Sequence, residues 1–156
     1  LAELMRIGED NDAISEKVHR LALALAGAPD FEAAAAALLF HLREDFAVPH
    51  VALRFWGAED GGRTFGPAVA LALRRAGRDD GRARVCGPAA GSPFLSLFGE
   101  AADRLRSIAV VPLGQTRAVG VLALASEDPQ RFYADMGTLY LRRIGELAAG
   151  ALAARS

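Results

Sequence analysis

The strongest constraint on the fold lies in the last third of the chain, where two β-rich runs precede a long apolar-striped segment. The runs cover residues 107–112 and 118–125, and Gly114-Gln115 lies in the short connection between them. Two such runs around a short glycine-bearing turn predict an antiparallel hairpin. From about 138 to 154 the apolar residues recur at helical spacing, which predicts a helix.

The first half of the chain reads as two helices and a strand. The pattern predicts a helix over 1–27, and Gly27 and Pro29 end it. A second helix over 31–46 follows, with Asp30 as its N-cap. Residues 50–56 alternate between two faces, which is typical of a strand. Because the helices stand at the two ends of the chain, the order indicates an α+β fold, with an antiparallel sheet and terminal helices on one face.

The middle of the chain is less regular. Residues 84–86 are a short strand candidate, and residues 67–76 are compatible with either a helix or a strand. The apolar cluster from Phe94 to Phe98 has helical spacing and is closed by Gly99. The chain shows no internal repeat and no low-complexity linker, so we expect one globular domain.

The first helix carries a heptad stripe that suits contact with a second chain. Its a and d positions are apolar except for one asparagine, and they are Leu4, Ile7, Asn11, Ile14, Val18, Leu21 and Leu25. One Asn in such a seam favours a parallel two-stranded coiled coil, in which it bonds its symmetry mate. The alternative is that the stripe packs on its own domain. We favour the inter-chain interpretation, with a dimerisation helix over 1–27 and a globular domain over 28–156.

Composition excludes several functions. The formal net charge is −1 in 156 residues, which lacks the positive surplus of a non-specific nucleic-acid binder. No apolar run reaches the length of a membrane span. The lone cysteine, Cys86, cannot form an intrachain disulfide or a cysteine-based zinc site. The three histidines lie on separate segments and lack metal-site spacing. We therefore expect no metal, no cofactor, no membrane contact and no direct nucleic-acid binding.

Several short motifs resemble a known family. The two β-rich runs with the final helix resemble a GAF-type sensory domain. More narrowly, the chain resembles the bacterial DUF484 family, whose function is unassigned. The matching residues are Cys86-Gly87, Leu97-Phe98-Gly99, Ser126, Asp128-Pro129, Arg131-Phe132, Met136-Gly137-Thr138, Leu141 and Gly145-Glu146-Leu147. One departure is Ala125, where the family is expected to carry glycine.

The resemblance implies a fold and a cellular location but no reaction. It implies a mostly antiparallel sheet of five or six strands, flanked by N- and C-terminal helices that commonly form a dimer bundle. It also implies a proteobacterial, cytoplasmic protein. It implies no known ligand and no known reaction.

A small-ligand pocket is the first candidate site. In GAF-like folds the ligand lies beside the sheet, against the segments that connect its middle strands. Two arginines are candidates to bind an anionic group, and five apolar residues are candidates to line the pocket. They are Arg54 and Arg84, and Phe55, Cys86, Phe94, Phe98 and Leu122. The alternative is that Phe94 and Phe98 simply close the core.

We therefore expect a non-catalytic sensory, regulatory or protein-interaction module, homodimeric through its N-terminal helix. Its signal would pass to a separate, unidentified protein partner. Two alternatives stay open. One is a small thiol-dependent enzyme using Cys86, although free cysteine is more often a small buried residue. The other is a purely structural dimer without a ligand.

Overall fold

The structure is a computed structural model, and it describes residues 2–55, 85–90, 92–113, 119–132 and 139–155. Within these ranges the side chains of residues 2–12, 85–87, 93 and 139–140 are not described. The predicted pattern at 67–76 and the candidate Arg84 lie outside the described residues, and so does Trp56.

Three α-helices are described. Helix α1 spans Ala2–Ala26, α2 spans Phe31–Glu44, and α3 spans Leu139–Arg155. The predicted cap of α2 is confirmed, because the Asp30 carboxylate accepts a hydrogen bond of 2.8 Å from the Ala33 amide. This bond satisfies one of the amides that a helix start leaves without a partner.

Four strands are described, and they form one antiparallel sheet. Strand β1 spans His50–Phe55, β2 spans Val85–Pro88, β3 spans Ser107–Leu113 and β4 spans Gly120–Ser126. Their spatial order is β1-β4-β3-β2, so the predicted hairpin forms the centre of the sheet. The described residues thus hold four strands and not the five or six that the GAF resemblance implies.

A hydrophobic core lies on each side of this sheet, because alternate residues of a strand point to opposite faces. The larger core joins the three helices to the helical face of the sheet, with Val111, Leu122 and Leu124 among its buried residues. The smaller core lies on the second face, with Ile108, Val110 and Val121. Every residue of β4 is buried, as expected for a central strand covered on both faces.

The heptad stripe of α1 divides between two environments. Leu21 and Leu25 are 0% and 2% exposed in the larger core, and Val18 packs against it. A partner chain cannot contact Leu21 and Leu25, so their assignment to a dimer interface was wrong. The physical reason is that heptad spacing fits packing within a chain as well as packing between chains. Ile14 is half-buried, and the side chains of Leu4, Ile7 and Asn11 lie outside the described residues.

Arg155 joins the C-terminal end of α3 to the C-terminal end of α1. Its guanidinium donates to the carbonyls of Leu25 and Ala28, at 2.9 Å each, and to Ala26 at 3.3 Å. The cation therefore meets the exposed carbonyls at the end of α1, where the helix dipole favours positive charge. The C-terminal ends of the two helices therefore lie side by side.

We predict that replacing Ala47 with glycine stabilises the protein. Ala47 has a φ of +53°, which places it in the left-handed region just after α2. A Cβ is unfavourable there, and glycine removes that cost. The expected gain in the free energy of unfolding is about 0.5–1 kcal/mol, measured by urea denaturation. A loss of stability would contradict the described turn.

Candidate functional site

The seven candidate pocket residues do not share one face of the sheet. Phe55 belongs to the larger core with Leu122, on the helical face. Phe94 and Phe98 belong to the smaller core on the second face. A single pocket walled by all four is therefore wrong. Alternation along each strand was visible in the sequence, but which loop segment covers which face depends on long-range packing.

Three further candidates are placed only in part. Arg54 follows the alternation of β1 and pairs in register with Val121, a residue of the second face. Its side chain is exposed, and Nη1 donates to the Leu53 carbonyl at 2.8 Å. Cys86 is placed by its backbone, which pairs with Ala109 in the β2–β3 ladder. Arg84 lies outside the described residues.

Among the described residues, an irregular segment covers the second face of the sheet. A 3-10 helical segment spans Pro93–Arg104 and begins at Ser92, whose hydroxyl accepts a 3.2 Å bond from the Phe94 amide. Gly99 breaks the segment with φ +57° and ψ −125°, a conformation that side chains disfavour. The prediction that Gly99 ends the apolar cluster from Phe94 to Phe98 is confirmed by this break. This cover is a short, kinked segment on an apolar sheet face.

A polar cluster lies where β1 begins and the 3-10 segment ends. Glu127 Oε1 is 3.4 Å from His50 Nε2 and 3.5 Å from Arg104 Nε. The Arg104 and Glu127 side chains are more than half exposed, so each pair contributes at most about 1 kcal/mol. We refer to His50, Arg104 and Glu127 as the rim cluster. The rim cluster closes the described edge of the second face with opposite charges in contact, whereas the Arg54 side chain on the same face is exposed.

The sheet register keeps His50 away from the lone cysteine. His50 pairs with Ala125, Ala125 pairs with Ile108, and Ile108 pairs with Gly87, the neighbour of Cys86. Three strand spacings separate the two ends of this row, about 14 Å between backbones. His19 is exposed on α1, and His41 Nδ1 donates to Asp45 on α2. No described histidine therefore stands beside Cys86 as a base.

A buried network of hydrogen bonds accounts for the family motif from Ser126 to Phe132. The Ser107 hydroxyl donates to the Asp128 carbonyl at 2.7 Å and accepts from the Phe132 amide at 3.3 Å. The Ser126 hydroxyl accepts from the Asp128 amide at 3.1 Å. Ser107 and Ser126 are the buried polar residues that hold this loop, because buried polar groups need partners. The motif is thus architectural, and Ser107 was missed by the sequence reasoning.

A second polar group missed by the sequence reasoning joins α2 to α1. Asp45 Oδ2 accepts a 2.7 Å bond from His41 and lies 3.6 Å from Arg20 Nε. The His41 hydrogen bond, together with the charges of His41 and Arg20, holds the pKa of Asp45 below its usual range, against a smaller effect of burial. The sequence signal was the spacing of four residues between His41, in the last turn of α2, and Asp45, which caps that helix.

Asp45 should give the protein a small acid-sensitive stability. A lowered carboxyl pKa contributes stability above the ordinary pKa, near 3.8, and loses it as pH falls through the folded value. Asp45→Asn should therefore cost up to about 1 kcal/mol at pH 7, and the difference from wild type should shrink as the pH falls below 3.8 and vanish below the folded pKa. Urea denaturation across this range measures it. A difference that grows in acid would contradict the assignment.

Two structural features bear on metal and membrane binding. In the part of the chain that the structure describes, no three His, Cys, Asp or Glu residues gather into a metal-binding group. None of the described helices combines the length and apolar character needed to cross a bilayer.

The fold is that of GAF-type proteins. A free methionine-R-sulfoxide reductase from Neisseria meningitidis, solved in complex with its substrate, is similar with a TM-score of 0.65 and 20% identity. The similarity covers 91% of this chain and 89% of that one. The GAF domain of an Acinetobacter phosphoenolpyruvate-protein phosphotransferase is similar with a TM-score of 0.64 and 13% identity, over 89% and 92% of the two chains. At these identities the likeness shows the fold alone.

Comparison with protein families is more specific than the similarity of fold. The family described as "Protein of unknown function, DUF484" matches residues 1–154, so the chain belongs to that family. No curated protein matches the chain significantly. The resemblance given by the motifs is thereby confirmed.

Proposed function

We propose that the protein is a non-catalytic, GAF-type regulatory module of the bacterial cytoplasm. It binds a small ligand at the second face of the sheet and forms a homodimer through α1. The observation that carries this proposal is the separate apolar cluster between the sheet and the kinked 3-10 segment. A cover of this kind can move without disturbing the larger core, to which the helices belong.

The ligand site is supported by the residues around the second face. Ala52, Ala123 and Ala125 are small side chains on β1 and β4, and Phe94 and Phe98 stand over the same face. An apolar body of modest size fits small residues beneath aromatic ones. Arg54, on the same face of β1, supplies a guanidinium suited to a carboxylate or phosphate group.

Ala123→Leu tests this site. If a ligand occupies the space above Ala123, the larger side chain fills that space, the protein stays folded, and the ligand no longer co-purifies. Mass spectrometry of the small molecules released from purified protein measures this. If the face is closely packed, the same change costs about 1–3 kcal/mol, which would count against the site. Ala36→Leu, on the exposed side of α2, is the matched control.

Dimerisation would use the N-terminal part of α1, before Val18, where the heptad stripe does not pack in the protein's own core. Ile7→Glu places a charge at a d position and should give monomers in sedimentation velocity, because a buried unpaired charge is costly. Ser15→Glu, at an exposed position, should leave the dimer intact. A dimer that persists in Ile7→Glu would contradict this interface.

The thiol-enzyme alternative has less support. Thiol–disulfide exchange within one chain needs a resolving cysteine, and this sequence has one cysteine. A thiol hydrolase needs a histidine base nearby, and the register places His50 far from Cys86. We expect Cys86 to react with a thiol reagent only after denaturation. Fast reaction in the folded protein, lost in Cys86→Ala, would revive the enzyme hypothesis.

The signal would pass to a separate protein. Leu23 and Phe40, on α1 and α2, are large apolar side chains that stay 60% and 59% exposed. They are the described side chains best suited to an apolar contact outside the chain.

A further inference from the structure

The relative direction of the two α1 helices in the dimer depends on which part of the heptad stripe already packs within its own chain. From Val18 onward the a and d face of α1 is filled by the protein's own core. Before that point lies the N-terminal segment of α1, residues 2–14. Helix α1 has 25 residues, whereas α3 has 17 and ends beside it, so the first turns of α1 extend past α3.

We propose that the N-terminal segments of two copies pair in an antiparallel direction. This inference rests on the proposed dimer and specifies its geometry. Leu4 would lie against Ile14 of the partner subunit, and Ile7 against Asn11 of the partner subunit. This replaces the parallel coil that Asn11 alone favours.

The first argument is steric. In a parallel coil the same faces meet at every level of the two helices. One turn beyond Ile14 that face is covered by α2 and α3 in each copy, so two domains would compete for one space. Antiparallel helices place the two domains at opposite ends of the shared segment. An in-register pair of Asn11 amides adds only one hydrogen bond and cannot offset a collision of whole domains.

The second argument is charge. Glu3, Asp10 and Lys17 stand at the g positions of the heptad, and Lys17 is the one lysine in the sequence. In a parallel coil a g residue faces an e residue of the partner subunit, and the e positions here are Gly8 and Ser15, which carry no charge. In the antiparallel register, Glu3 faces Lys17 of the partner subunit, and symmetry repeats the pair. The same register places Asp10 opposite Asp10 of the partner subunit at the twofold axis. Two attractive pairs against one repulsive pair leave a net attraction, and the parallel register offers no g–e charge pair at all.

A single double variant distinguishes the two directions. In Leu4→Cys/Ile14→Cys the two cysteines lie about 15 Å apart on one helix, too far for a bond within the chain. Trypsin cuts after Arg6 and Lys17, which separates residues 1–6 from residues 7–17. After mild oxidation, mass spectrometry identifies which peptides are joined. Wild type shows the background from Cys86, and Glu9→Cys, at an f position, is a control that should not cross-link.

The expected product joins peptide 1–6 to peptide 7–17 in covalent dimers. Links between two identical peptides would overturn the antiparallel direction and leave the proposed dimer standing. A protein that sediments as a monomer and forms no link would overturn both.

A charge exchange gives a second readout if the double-cysteine variant folds poorly. Glu3→Lys and Lys17→Glu should each weaken the dimer roughly three- to tenfold. The combined variant should return to within about twofold of wild type, because the pair is restored with reversed sign. In a parallel coil these residues lie about 21 Å apart along the axis. An absence of rescue would contradict the proposal.

Discussion

Phe132→Ala is expected to lower the free energy of unfolding by about 3–5 kcal/mol. Phe132 is a loop residue, yet it is fully buried in the larger core with the three helices. Truncation would leave a cavity in the larger core. For a domain of this size the loss corresponds to a fall in Tm of roughly 10 °C, measured by calorimetry.

The hydrogen bonds around Phe132 provide an independent check. Ser107→Ala removes the hydroxyl that holds the Phe132 amide and the Asp128 carbonyl, so it should cost about 1–3 kcal/mol. Gln130→Ala, in the exposed part of the same loop, should change stability by less than about 0.5 kcal/mol. A loss below about 1 kcal/mol for Phe132→Ala would contradict the described packing of this loop.

Gly120→Ala is expected to lower the free energy of unfolding by about 2–3 kcal/mol. A Cβ at this first residue of β4 would lie 2.6 Å from the Arg54 carbonyl oxygen and 3.2 Å from the Phe55 Cα. Both atoms belong to the backbone of the paired strand β1, so they cannot move aside as a flexible side chain would. The substitution should open the β1–β4 ladder.

Gly150→Ala is the matched control for this prediction. A Cβ on Gly150 meets nothing within 4 Å, and the residue is exposed inside α3. Alanine should therefore stabilise the helix by about 1 kcal/mol. Equal, small effects at both glycines in urea denaturation would show that β1 does not approach β4 as described.

Local features of the fold were predictable from sequence because they depend on neighbouring residues. The cap at Asp30, the alternation in β1 and the hairpin of β3 and β4 all follow from short-range rules. The contacts of Arg155 were not predictable, since its guanidinium reaches carbonyls about 130 residues away in the chain. No local pattern distinguishes such an arginine from a solvated one.

The candidate site was predicted less well, for a related reason. The sequence indicated that Phe55, Phe94, Phe98 and Leu122 are candidate apolar walls of a pocket, but the face that each occupies depends on how distant segments pack. The stripe of α1 shows the same ambiguity, because Leu21 and Ile14 stand at equivalent heptad positions and differ only in what lies opposite. The spacing of apolar residues shows which face of a helix or strand is buried, but it does not show which segment or chain packs against that face.

Native mass spectrometry of the protein purified from its own source tests the central claim most directly, because it reports subunit number and bound ligand together. A regulatory module of the proposed kind should give a mass of two chains, each of 16.4 kDa, plus a small non-covalent adduct. The adduct should disappear in Ala123→Leu, and the second chain should disappear in Ile7→Glu. A bare single chain from wild type would contradict the proposal.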